Sequence, residues 1–127
     1  MINYGIIGTG MMGCEHIMNI NLIPEARVTA IADPNETSRG WGKSFAGESV
    51  AVFDDYRRLL REAPVDAVVI ASPNFTHFEV LADVFRTDKH VLVEKPLCTV
   101  VDDCHRVVEA AARHTGVFWV GMEYRYM

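Results

Sequence analysis

The sequence predicts an α/β domain: one doubly wound parallel sheet of six strands, with helices on both faces. Three observations carry this. Short runs rich in Val and Ile recur at 2–7, 28–32, 50–53, 67–71, 90–93 and 117–120, each of strand length. Most are apolar at nearly every position instead of alternating, the pattern of strands covered on both faces. The gaps between them carry helical periodicity, so strands and helices alternate along the chain.

Taken in order, the first run is followed by Cys14, Ile17 and Met18, which share one face of a helix. After the second run, residues 35–46 carry Gly40 and Gly42. Each glycine costs about 1 kcal/mol relative to Ala in a helix interior, so a short or broken helix is expected there. Tyr56, Leu59 and Leu60 support a short helix after Asp54-Asp55. Between Thr76 and Thr87, Phe78, Leu81, Ala82 and Phe85 fall at i, i+3, i+4 and i+7, and Thr76 and Glu79 have capping-box spacing. Between Thr99 and His114, Val101, Cys104, Val108 and Ala111 form a stripe, Thr99 and Asp102 can cap its start, and Gly116 follows its last turn.

A length of 127 residues is enough for one domain with a real core, and residues 1–127 show no linker, repeat or low-complexity tract. The net charge of −5 and the mixed charge pattern speak against nucleic acid as a partner. No apolar stretch approaches the roughly 20 residues a membrane span needs, and no signal segment follows Met1, so a soluble, cytoplasmic protein is expected. Cys14, Cys98 and Cys104 are odd in number and lack Cys-x-x-Cys spacing. They suggest neither a disulfide framework nor a metal site and are expected to be small buried residues.

The chemistry gathers where strands end. Gly8-Thr9-Gly10-Met11-Met12-Gly13 follows the first strand directly and opens a helix, the context that makes a G-x-G-x-x-G pattern meaningful. In such a turn Gly8 permits the tight bend, Gly10 lets backbone approach a pyrophosphate, and Gly13 lets the helix pack on the strand. Free N–H groups at the helix start then bind the anion without Lys or Arg. Gly8, Gly10, Met11, Met12 and Gly13 are therefore candidate contacts of a dinucleotide cofactor. Asp33 ends the second strand 20 residues after Gly13, where an acidic group accepts hydrogen bonds from the adenosine ribose. It favours NAD, with NADP as the alternative, because Arg39 or Lys43 can swing toward a 2′-phosphate.

The fourth strand ends in Ala71-Ser72-Pro73-Asn74, with Thr76-His77 opening the next helix. Ser72 and Asn74 can hydrogen-bond the cofactor, Pro73 stiffens the turn, and His77 is either a further contact or a packing residue. The fifth strand ends in Glu94-Lys95-Pro96. There Lys95 can donate a proton or stabilise a developing alkoxide, with Glu94 expected to hold it in place.

These residues resemble the Gfo/Idh/MocA oxidoreductases, the family of glucose-fructose oxidoreductase and inositol dehydrogenase. The resemblance covers essentially the whole chain. It rests on Gly8 to Gly13, Asp33, the Ser72-Pro73-Asn74-x-x-His77 loop, Glu94-Lys95-Pro96 and the closing Gly121-Met122-Glu123-Tyr124-Arg125-Tyr126. It implies a Rossmann fold and hydride transfer between nicotinamide and a sugar or polyol hydroxyl. Lys95 would bind the substrate hydroxyl or help deprotonate it, Ser72, Pro73, Asn74, His77, Glu94 and Lys95 would lie at the cofactor, and Arg125 would make a cofactor-side or interdomain contact. The family continues into a C-terminal substrate domain, usually with the oligomer interface. That domain is absent from this chain, which is expected to be part of a longer, oligomeric protein and to be inactive alone. A nucleotide sensor without turnover, or a lyase or hydrolase that uses NAD transiently, are the other readings. Lys95 favours the dehydrogenase, because a sensor has no need of a proton-handling group beside the ring.

Overall fold

The computed structural model describes all residues 1–127. Six parallel strands form one sheet: β1 (Ile2–Ile7), β2 (Ala26–Ala32), β3 (Ala51–Phe53), β4 (Ala67–Ile70), β5 (His90–Glu94) and β6 (Phe118–Gly121). Their order across the sheet is β3-β2-β1-β4-β5-β6. The chain thus runs outward from β1 to β3, returns to the other side of β1, and runs outward again. The C-terminal ends of β1 and β4 flank the point of reversal, where open α/β sheets bind their ligands.

The unbroken apolar runs are explained by burial on both faces. Ile6, Ile31 and Val69 pack with Ile17 and Ile20 of α1 (Met11–Asn21) in one core. Ile7, Val68, Ile70 and Val93 face the opposite core with Leu59 of α3 (Tyr56–Glu62), Leu81 and Val84 of α4 (His77–Val84) and Val107 of α5 (Val101–Arg113). Each such aliphatic side chain contributes about 1.5–3 kcal/mol by leaving water.

Helix α2 (Glu36–Ala46) departs from expectation: it runs unbroken for 11 residues, started by the Asn35 side chain, which accepts from the Ser38 amide. A methyl group on Gly42 would come within 2.7 Å of the Thr9 side chain, so this glycine lets the helix lie against the glycine turn. Its propensity cost is offset by close packing that no isolated helix has. The expected cap of α4 is also not formed. The Thr76 hydroxyl turns back to Pro73 O at 2.6 Å, a 3-10 turn over Asn74–Thr76 precedes the helix, and Glu79 pairs with Arg57. Helix α5 starts after Val100 without a side-chain cap, and Asp102 and Asp103 in its first turn complement the helix dipole. Its inward face centres on Val107, while Val101 and Val108 of the expected stripe face outward. Cys104 and Ala111 of that stripe are partly covered beside Val107. Cys14 is buried as expected, whereas Cys98 and Cys104 are only partly covered.

Gly8 has φ of +94°, and a side chain on it would come within 2.5 Å of the Ser72 amide nitrogen. A methyl group on Gly13 would strike the carbonyl oxygen of Gly8. Gly8→Ala and Gly13→Ala are each expected to cost at least about 1–3 kcal/mol through strain and clash. Thermal unfolding of the two variants checks this, and a melting temperature equal to that of the parent chain would contradict the packing described.

Candidate functional site

A cleft of about 820 Å³ opens along the C-terminal edge of the sheet. One wall is the glycine turn with Gly8, Gly10, Met11 and Met12, and the other is the loop after β4 with Ser72 and Pro73. Helix α1 begins at this cleft with Gly10 as its cap residue, no side-chain cap and no acidic residue in its first turn. Its leading amides and the positive end of its dipole are therefore left for an anion. A Cβ on Gly10 would meet no protein atom within 4 Å. Unlike Gly8 and Gly13, this glycine preserves space for a ligand and not for the fold.

Asp33 is fixed by the same turn. Its Oδ2 accepts from the Thr9 amide at 2.9 Å and its Oδ1 from the Asn35 amide at 2.8 Å, which leaves further lone pairs for ribose hydroxyls. Thr9 is fully buried and its hydroxyl donates to Ser38 O at 2.7 Å, so the glycine turn and α2 are held as one unit. The two cations considered for a 2′-phosphate are engaged elsewhere. Arg39 donates to Asp33 O and Pro34 O at 2.9 and 3.0 Å, and Lys43 lies 3.6 Å from Glu48. Neither lines the cleft.

His77 is placed behind the Ser72 loop, fully buried. Its Nδ1 lies 2.7 Å from Pro96 O and its Nε2 3.0 Å from Ser72 O, so the ring ties the loop after β4 to the turn after β5. It supports the wall and leaves no polar atom free for a ligand. Asn74 is exposed and does not line the cleft.

The expected grip of Glu94 on the Lys95 ammonium is not what forms. Glu94 Oε1 accepts from His16 Nε2 at 2.6 Å, and Oε2 accepts from the Lys95 backbone amide at 3.3 Å. Glu94 thus links β5 to α1 and shapes the turn. The ammonium pairs instead with Glu123 Oε1 at 2.6 Å and sits 4.5 Å from the centre of the Tyr124 ring. The Glu123 carboxylate holds the Lys95 ammonium above the usual lysine range, and the ammonium in turn draws the Glu123 carboxyl below its own. Lys95 and Arg125 line a smaller hollow of about 300 Å³ with Met122, Glu123 and Tyr124.

Sequence reasoning missed Thr9, His16, Glu123 and Arg57. His16 has a signal in retrospect: it stands three residues after Gly13, on the helix face that the glycine presses to the sheet. Thr9 stands inside the glycine turn itself, and Glu123 and Arg57 are joined to their partners only by the tertiary fold.

A glycine turn between β1 and α1, an open helix start and an acid at the end of β2 define a dinucleotide-binding domain. The description "oxidoreductase family, NAD-binding Rossmann fold" matches residues 2–122, and the chain belongs to this Gfo/Idh/MocA family. Inositol 2-dehydrogenase 2 of Saccharopolyspora erythraea is 42% identical over 113 residues, covering 88% of this chain and 33% of that protein. The 2,7-anhydro-N-acetylneuraminate hydratase of Escherichia coli is 31% identical over 133 residues, covering 98% of this chain and 34% of that protein. The chain therefore spans about a third of the length of the curated relatives it matches. The crystal structure of scyllo-inositol dehydrogenase from Lactobacillus casei with bound NAD(H) and scyllo-inositol superposes with a TM-score of 0.91 at 29% identity, over 99% of this chain and 37% of that one. No helix is long and apolar enough to cross a membrane.

Gly10→Ala is expected to leave thermal unfolding unchanged while weakening NADH binding by about five- to a hundredfold, the effect of about 1–3 kcal/mol of overpacking against the pyrophosphate. Fluorescence titration with NADH reads the loss, and unchanged affinity would move the pyrophosphate away from this turn.

Proposed function

We propose that this chain is the cofactor half of a dehydrogenase that oxidises a hydroxyl of a polyol or sugar with NAD. The single observation that carries the reading is the Lys95 ammonium at the C-terminal end of β5, held by Glu123 in the smaller hollow. Gly8 and Gly10 with Met11 and Met12 receive the pyrophosphate, on a turn that Gly13 keeps tight, Asp33 receives the adenosine ribose, and the Ser72-Pro73-Asn74 loop the nicotinamide side. NAD, when bound, supplies the hydride acceptor.

Lys95 donates a hydrogen bond to the substrate hydroxyl oxygen and stabilises the negative charge that grows on it as its proton leaves. Because Glu123 favours the charged lysine, Lys95 acts as a fixed cation near neutral pH and the proton passes to another base. That base, the residues that read the substrate and the oligomer interface belong to a substrate domain like that of the longer relatives. Arg125, next to Lys95 in the small hollow, contacts the substrate side or that domain. The inositol dehydrogenases among the relatives support a polyol as substrate. The hydratase of Escherichia coli supports a second reading, a reaction without net oxidation.

The 127-residue chain is expected to bind NADH saturably and to turn over no polyol by itself. Absence of saturable binding would overturn the reading. In a protein carrying this chain together with a substrate domain, NADH accumulation with myo- or scyllo-inositol marks the dehydrogenase, and product without NADH accumulation marks the second reading. Lys95→Met in that protein is expected to abolish turnover while NADH still binds. Asp33→Ser should lower the preference for NADH over NADPH by about tenfold or more, the equivalent of a lost charge-assisted hydrogen bond and relieved repulsion; a preserved preference would assign discrimination to other groups.

A further inference from the structure

We propose that the guanidinium of Arg57 is the platform on which the adenine ring of the cofactor stacks. The inference rests on the dinucleotide reading of the cleft and adds a residue to it. Asp33, the ribose acceptor, ends β2, and the sheet continues outward from β2 to β3. The base lies one step beyond the ribose, away from the pyrophosphate, so it falls toward the segment that follows β3. That segment is Asp54-Asp55-Tyr56-Arg57, and all four of its residues line the cleft.

The state of Arg57 there leaves one surface to use. Its Nη2 pairs with Glu79 of α4, and its Nε lies 3.1 Å from Asp83 Oδ2. One face of the guanidinium lies over the Tyr56 ring, 4.7 Å from the ring centre, and Tyr56 is itself held by its hydroxyl donating to Asp83 at 2.6 Å. Two edges and one face are thus occupied, yet the side chain is still 45% exposed. The Nη1 edge and the second face carry no protein partner, and the residue lines the cleft. A flat, delocalised, weakly hydrated cation stacks well on a purine, and one already pinned in its plane loses little freedom on doing so.

The surrounding charges narrow the ligand further. Asp54, Asp55 and Glu79 bring carboxylates to this end of the cleft. They accept hydrogen bonds from an exocyclic amine, which adenine has, and repel a phosphate on the 2′ oxygen. Arg57 offers no remedy for that repulsion, because two of the edges that would grip a phosphate already hold carboxylates. The same residue therefore favours the base of NAD without opening a route to NADP.

The test compares NADH, ADP-ribose and reduced nicotinamide mononucleotide by calorimetric titration of the 127-residue chain and its variants. Arg57→Ala is expected to weaken NADH and ADP-ribose by the same factor, about five- to thirtyfold, as loss of one stacked base contact. Binding of the reduced mononucleotide, which lacks adenine, should not change. Arg57→Lys keeps the charge without the plane and should recover only a small part of the loss. Unchanged ADP-ribose affinity in Arg57→Ala, full recovery by Arg57→Lys, or an equal loss of the mononucleotide would each overturn the proposal. A parent chain that binds no NADH would overturn the cleft reading itself, and this proposal with it.

Discussion

The start of α1 rests against the end of β1 at one point, where the Cα of Gly13 meets the carbonyl of Gly8. Nothing larger than hydrogen fits between them. This contact sets how closely the helix N-terminus approaches the sheet edge, and so where its free amides point. The neighbouring parts depend on it. Thr9 can reach Ser38 and donate its amide to Asp33 only because the turn is this tight, and α2 can lie on Thr9 only because Gly42 lacks a side chain. The glycine turn, Asp33 and α2 are therefore one rigid object.

Opposite that object stands a wall held by a different device. The loop after β4 and the turn after β5 are separate in sequence, but His77 lies between them, in reach of a carbonyl from each. His16 and Glu94 make the corresponding link from α1 to the end of β5. Two histidines thus brace the turn that carries Lys95 from both sides, and its ammonium is left to Glu123 and to a substrate. Charge divides the edge accordingly: carboxylates collect after β3, free backbone amides lie at the start of α1, and the Lys95 ammonium lies after β5.

The fold was legible in the residues because its main cause is local and repetitive. Val and Ile runs without alternation demand cover on both faces, and the six strands stand within two residues of where those runs lie. Helix α2 was misjudged because its glycines count as a cost in an isolated helix, whereas here Gly42 answers to a contact with Thr9, more than thirty positions earlier. In helix α5 the expected stripe holds at Cys104 and Ala111 but not at Val101 and Val108, since Val101, Val107 and Val108 are equally apolar and only packing in the core shared with α4 selects Val107.

By itself, the sequence determined the class of domain and the glycine turn that opens its first helix. Each follows from spacing within one strand-turn-helix unit, where chain connectivity alone fixes the geometry. The tertiary structure decided the partners: Glu94 with His16 and not with the Lys95 ammonium, Glu123 with Lys95, Arg57 with Glu79 and Asp83. Those pairs join residues 28 to 78 positions apart in Lys95–Glu123 and His16–Glu94, and 22 and 26 apart for Arg57. Opposite charges at such separations attract whichever neighbour the fold delivers, and only the assembled sheet and helices say which one that is.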